Sequence, residues 1–143
     1  MAAPSPLART LSSAAPHLLS VLRIVAAFLI VQFGTAKLFA LPGPLTHGGG
    51  AVPVGSLLWF AGVIETAGGL LLLLGLCARP VAFVVSGEMA IAYFHGHAPN
   101  GFWPVLNGGH PAVQFCFVWL YISSAGPGAW SLDALRRRRS DRS

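Results

Sequence analysis

Four charged residues lie inside otherwise apolar stretches of the chain, and ionisable groups in such surroundings are candidate proton, ion or ligand sites. Glu65 sits in GSLLWFAGVIETAGGLLLLLGLC, residues 55–77, and Glu88 in VAFVVSGEMAIAYFHGHA, residues 81–98. Arg23 and Lys37 share HLLSVLRIVAAFLIVQFGTAKLFAL, residues 17–41. Two charges of each sign balance, as a lipid-embedded core demands. A carboxylate at mid-bilayer depth costs about 2.5–3.5 kcal/mol on insertion scales, so each glutamate needs a partner. At 1.5 Å per helical residue, Arg23 lies ~9 Å and Glu88 ~12 Å from the inner ends of their helices, and Glu65 ~15 Å from the outer end of its own. These depths predict an inner Arg23–Glu65–Glu88 cluster, acting either as a proton site or as interhelical glue that fixes helix rotation.

A second set gathers at the outer mouth: Lys37, His95, His97, Asn107 and His110, with His47 from the first outer loop as a further candidate. Imidazoles beside a cation and above buried carboxylates can relay protons or bind the polar head of a quinone. His95-x-His97 is not a helix-face spacing, so neither a metal nor haem is expected, and no catalytic residue is assigned. The sequence has no Gly-rich phosphate loop, nucleophile elbow or zinc signature.

The elements that position these residues follow from composition. The 143-residue chain is 55% hydrophobic and 9% charged, with mean hydropathy +0.69. That composition describes an all-α, polytopic membrane four-helix bundle, with spans at about 17–41, 55–77, 80–98 and 109–125 within a 17–128 domain. Residues 1–16, rich in Ala, Ser and Pro, read as a flexible cytoplasmic arm, and residues 129–143 as a short C-terminal interfacial helix with a basic cytoplasmic tail. Arg23, Ala27, Ile30, Gly34 and Lys37 recur every three or four residues and form the inward stripe of the first span. Ala61, Gly62, Gly68 and Gly69 flank Glu65 and make a surface for close helix packing. Such small crossing faces leave little interior volume, so a transport path within one chain looks cramped; a homo-oligomer or a partner would relieve that.

The connectors PGPLTHGGGAVP, residues 42–53, and PNGFWPVLNGGHP, residues 99–111, are Pro- and Gly-dense loops. Asn107 or His110 can cap the fourth span. Arg79 in one short turn and the run Arg136 to Arg139 in the tail place both termini on the cytoplasmic side. Five of the nine basic residues fall at 136–139 and 142, so the net charge of +5 reads as an anchor at anionic lipid headgroups and not as a nucleic-acid face. Cys77 and Cys116 fall at opposite ends of their spans, which predicts no disulfide between them.

The chain resembles the DoxX family of small four-helix membrane proteins. The resemblance rests on Gly34-x-x-Lys37, on E-x-x-G-G-L-L-L-L-L-G-L over 65–76 with Arg79 after it, on A-Y-F-x-x-H-A-P over 92–99, on F-W-P-x-x-N-G-G over 102–109, and on A-G-P-G-x-W-S-L-D over 125–133. It implies a multi-pass protein of the plasma or inner membrane, in a family named for a quinone-linked sulfur oxidoreductase and associated with oxidative and thiol-stress systems. The role implied is an accessory subunit of a redox complex, holding a quinone or an oxidoreductase partner, more a non-catalytic membrane subunit than a self-sufficient enzyme. The alternatives are a small proton-coupled transporter and a purely structural scaffold. One departure stands out: where the family commonly has N-G-G-E, this chain has His110 after Asn107-Gly108-Gly109.

Overall fold

The computed structural model describes residues 5–45 and 49–140, and those residues are all-helical, with no strand among them. Five α-helices follow in order: α1 Pro6–Phe39, α2 Leu57–Leu74, α3 Ala78–Ile91, α4 His110–Ala125 and α5 Leu132–Ser140. A wide π-type turn, Ala92–His97, and a 3-10 turn, Ala98–Asn100, prolong α3. Two stretches, Leu7–Phe39 and Leu57–Leu74, are long and apolar enough to cross a bilayer. Leu18, Leu22, Val25, Phe28, Phe83, Phe94 and Phe117 stand exposed on the outer faces of the helices, the apolar exterior expected where the surrounding solvent is lipid.

The first helix starts at Pro6, not at about His17. Ser5 accepts a hydrogen bond from Ala8 N at 3.2 Å and Pro6 occupies the first helical position, two features that favour helix initiation in an Ala-rich stretch. The expected arm of residues 1–16 is therefore helical from residue 6 onward. Pro16 sits inside the helix, and its carbonyl accepts from Ser20 Oγ at 2.9 Å and from Ala129 N at 3.1 Å. The segment after α4 thus docks on α1 at this point.

Helices α1 and α2 form an antiparallel pair whose closeness depends on glycine. A Cβ on Gly34 would lie 2.6 Å from Thr66 N and 2.8 Å from Gly62 O, both backbone atoms. Lys37 and Leu38 pack on Gly62, and Ile30 and Val31 on Gly69, while Gly68 on the neighbouring face of α2 receives Val81 and Val85 of α3. Glu65 lies between these two faces. Gly34→Ala is expected to splay the pair and cost about 1–3 kcal/mol, because backbone cannot move aside as a side-chain tip can. Gly87→Ala on α3, whose Cβ meets nothing within 4 Å among the described residues, should be neutral or slightly stabilising. Reversible unfolding in mixed detergent micelles checks both.

The pairs α1/α2 and α3/α4 meet through a core of Ala26, Ala27, Ile30, Leu72, Ala78, Ala82, Val85, Met89, Trp119 and Ile122. Leu72, Ala78, Ala82, Trp119 and Ile122 lie in the helix halves beside the α2–α3 turn and the end of α4. The inward stripe Arg23, Ala27, Ile30 is fully buried, as the spacing of those residues requires.

Candidate functional site

Toward the two longer connectors the helices leave an open-sided cavity of about 700 Å³ between them, lined by all four longer helices and by Leu45 and Val52 of the first connector. Its volume falls in the range of small-molecule sites, so the interior is larger than the small crossing faces suggested. Most of the wall is apolar, including Phe33, Phe60, Ile64, Met89 and Phe115, and the polar groups on it are Lys37, Glu65, Glu88, His95 and His97. Val52 N donates to Lys37 O at 2.8 Å and ties the connector back across α1.

Lys37 Nζ donates to Glu65 Oε1 at 2.5 Å. The Glu65 side chain is 2% exposed and that of Lys37 14%, so the pair sits at the cavity wall with its ammonium nearer the opening. Burial in so apolar a place requires such pairing, since a lone charge there costs several kcal/mol. Glu65 Oε2 has no hydrogen-bond partner among the described residues, and neither has Glu88 Oε2. Glu88 is near enough to Glu65 and to Lys37 for electrostatic interaction with both. Two carboxyl groups and one ammonium therefore converge on one apolar cavity.

Arg23 does not join them. Its guanidinium is fully buried and donates from Nε to Pro127 O at 2.8 Å, from Nη1 to Leu72 O and to Leu73 O at 2.8 Å, and from Nη2 to Trp130 O at 2.5 Å. The expected Arg23–Glu65–Glu88 cluster is thus split, because Leu72 lies about 10 Å along α2 from Glu65 at 1.5 Å per residue. The physical reason is competition. The last carbonyls of α2 keep acceptor capacity that the helix does not fill, Leu72 O taking only Gly75 N at 3.0 Å from its own end, and the rigid fork of a guanidinium satisfies several acceptors at once. Arg79 does the same for α4, donating to Ser123 O at 3.1 Å and to Ser124 O. Asp133 accepts from Cys77 N at 3.0 Å and Ala78 N at 2.9 Å, capping α3. At this end of the molecule the charges fasten helix termini to one another.

The outer set divides as well. His95 and His97 line the cavity with Lys37. Asn107 instead shapes the loop, donating from Nδ2 to Gly101 O at 2.6 Å and accepting Gly109 N at 2.8 Å. The capping position of α4 is Gly109, with no side-chain bond, so neither Asn107 nor His110 caps the helix, and His110 is exposed and off the cavity wall. His47 lies outside the described residues. The polar site is accordingly Lys37, Glu65, Glu88, His95 and His97. Sequence reasoning had all five but assigned them to two separate clusters.

A family model for DoxX matches residues 18–98, a stretch that carries Lys37, Glu65, Glu88, His95 and His97. The chain is also 46% identical over 121 residues to a protein of Haemophilus influenzae described as an uncharacterized protein, covering 82% of this chain and 90% of that one. No solved structure matches the chain.

Proposed function

The chain belongs to the DoxX family of small membrane proteins, and from that premise and the cavity we propose that it is an accessory membrane subunit that holds a quinone-class ligand for an oxidoreductase partner. The supporting observation is the largely apolar cavity of about 700 Å³, in which Lys37, Glu65, Glu88, His95 and His97 are the polar groups on the wall. An apolar wall suits a flat ring with a lipid tail, and a few convergent polar groups suit its oxygen-bearing head. Lys, Glu and His side chains do not themselves exchange electrons, so the chain binds and positions, while electron transfer belongs to the partner.

In this reading α1, α2, α3 with its wide turns, and α4 are four spans of a multi-pass bundle in the plasma or inner membrane. Both termini face the cytoplasm, and α5 lies at the interface with its arginines among anionic headgroups. A homo-oligomer is compatible with it.

Titration of the protein in nanodiscs with a short-chain benzoquinone, read by quenching of tryptophan fluorescence, should give saturable binding, weakened about tenfold or more by the double substitution Lys37→Met with Glu65→Leu, which removes the ammonium that a quinone oxygen needs. Absence of quinone binding together with absence of any co-purifying redox enzyme overturns the proposal.

One observation favours a second reading. The buried Oε2 atoms of Glu65 and Glu88, without a hydrogen-bond partner among the described residues, also suit a proton-coupled carrier. That reading requires pH-dependent uptake in proteoliposomes that Glu65→Gln abolishes.

A further inference from the structure

The hydrogen-bonding character of the cavity selects among ligand heads. Glu65 Oε2 and Glu88 Oε2 are buried and have no hydrogen-bond partner among the described residues, and a carboxyl group keeps an acceptor oxygen in either protonation state. His97 Nδ1 lies 3.2 Å from Asn107 O. A carbonyl only accepts, so Nδ1 carries the proton in that contact, which leaves Nε2 of the neutral ring an acceptor. The committed donor is Lys37, one of whose three N–H groups goes to Glu65 Oε1 at 2.5 Å, while a neutral imidazole such as that of His95 brings one donor and one acceptor and leaves the balance unchanged. Acceptors therefore outnumber donors on the polar part of the wall.

Resting on the quinone-class reading above, we propose that the cavity prefers a head that brings O–H donors, so that it binds the reduced dihydroxy form of its ligand in preference to the oxidised dicarbonyl form. A hydroquinone presents two O–H donors to the two orphan carboxyl oxygens. A quinone presents two further acceptors and leaves those oxygens unpaired, even where one of its oxygens takes a remaining N–H of Lys37. Burying unpaired polar groups against a ligand is the term that gives hydrogen-bonding sites their strongest discrimination. Glu88 has the larger part in this choice, because Lys37 already serves one oxygen of Glu65.

The test compares a decyl-substituted benzoquinone with its hydroquinone under anaerobic conditions, both titrated into the wild-type protein in nanodiscs. The hydroquinone is expected to bind about tenfold or more tightly. Glu88→Gln, which replaces one acceptor by an amide donor, should bring the two affinities close to parity while the thermal unfolding midpoint stays near that of the wild type. Equal affinities in the wild type, or tighter binding of the quinone, overturn this inference and leave the binding site standing. Binding of neither form overturns this inference and the ligand-holding role on which it rests. Because the wild-type comparison does not depend on the variant folding, poor expression of Glu88→Gln leaves the test decisive.

Discussion

Arg23→Met should be the most destabilising single substitution in the molecule, by about 4 kcal/mol or more. The new side chain fills much of the same space but leaves the carbonyls of Leu72, Leu73, Pro127 and Trp130 without the guanidinium that serves them. Each buried carbonyl left unpaired costs about 1–3 kcal/mol. Arg23→Lys should fall between, because an ammonium is a point charge that cannot span four acceptors set around a fork. Equilibrium unfolding in mixed micelles gives the magnitude, and protease sensitivity at residues 126–131 should rise with it, since that segment is held to α1 by the same bonds. A double-mutant cycle of Arg23→Met with Glu65→Gln should show coupling within about 0.5 kcal/mol, as for residues without shared partners. A coupling of several kcal/mol would restore the cluster that the depth argument predicted.

Lys37→Met should produce the second-largest effect, about 3–5 kcal/mol, because it strands the Glu65 carboxylate. Glu65 is 1% exposed and has no other partner among the described residues. The informative variant is the double one. Lys37→Met combined with Glu65→Leu removes both charges and should recover most of the lost stability, since a buried pair exchanged for apolar residues of similar volume is often near neutral. It should also abolish ligand binding. Stability regained with binding lost separates the role of the pair in the site from its role in the fold. The measurements are micelle unfolding and the fluorescence titration, made on the same preparations.

These two expectations also mark what the sequence made legible. The stripe from Arg23 to Lys37 and the small residues around Glu65 were readable because burial on a helix follows its period and close packing follows residue size. The short C-terminal helix expected within 129–143 forms as α5, with Ser131 Oγ accepting Ala134 N at 3.1 Å at its start. The partners of the charges were not readable, because depth along a helix does not say which acceptors compete for a cation. One signal was overlooked. In an antiparallel pair, residues equally far from the middle of the connector over 40–56 face one another, so Arg23 opposes a residue near 73 and not Glu65. Gly75 does face Arg23 in the structure, and Lys37, one helical turn beyond Gly34, is the cation within reach of Glu65. The return of residues 127–133 across the helix ends, with Asp133 capping α3, is a tertiary event that no local pattern announced. The cavity was likewise hidden, since small crossing faces describe where helices touch and say nothing of where they part.

Photolabelling is the most direct test that the cavity is the ligand site. A photoreactive benzoquinone, activated on the protein in nanodiscs and mapped by mass spectrometry of its peptides, is expected to mark residues 57–65 of α2 and 84–97 of α3 and its wide turn, with labelling lost to excess unlabelled ligand. Labelling confined to the exposed faces of α1 or to α5, or insensitive to that competition, contradicts the site.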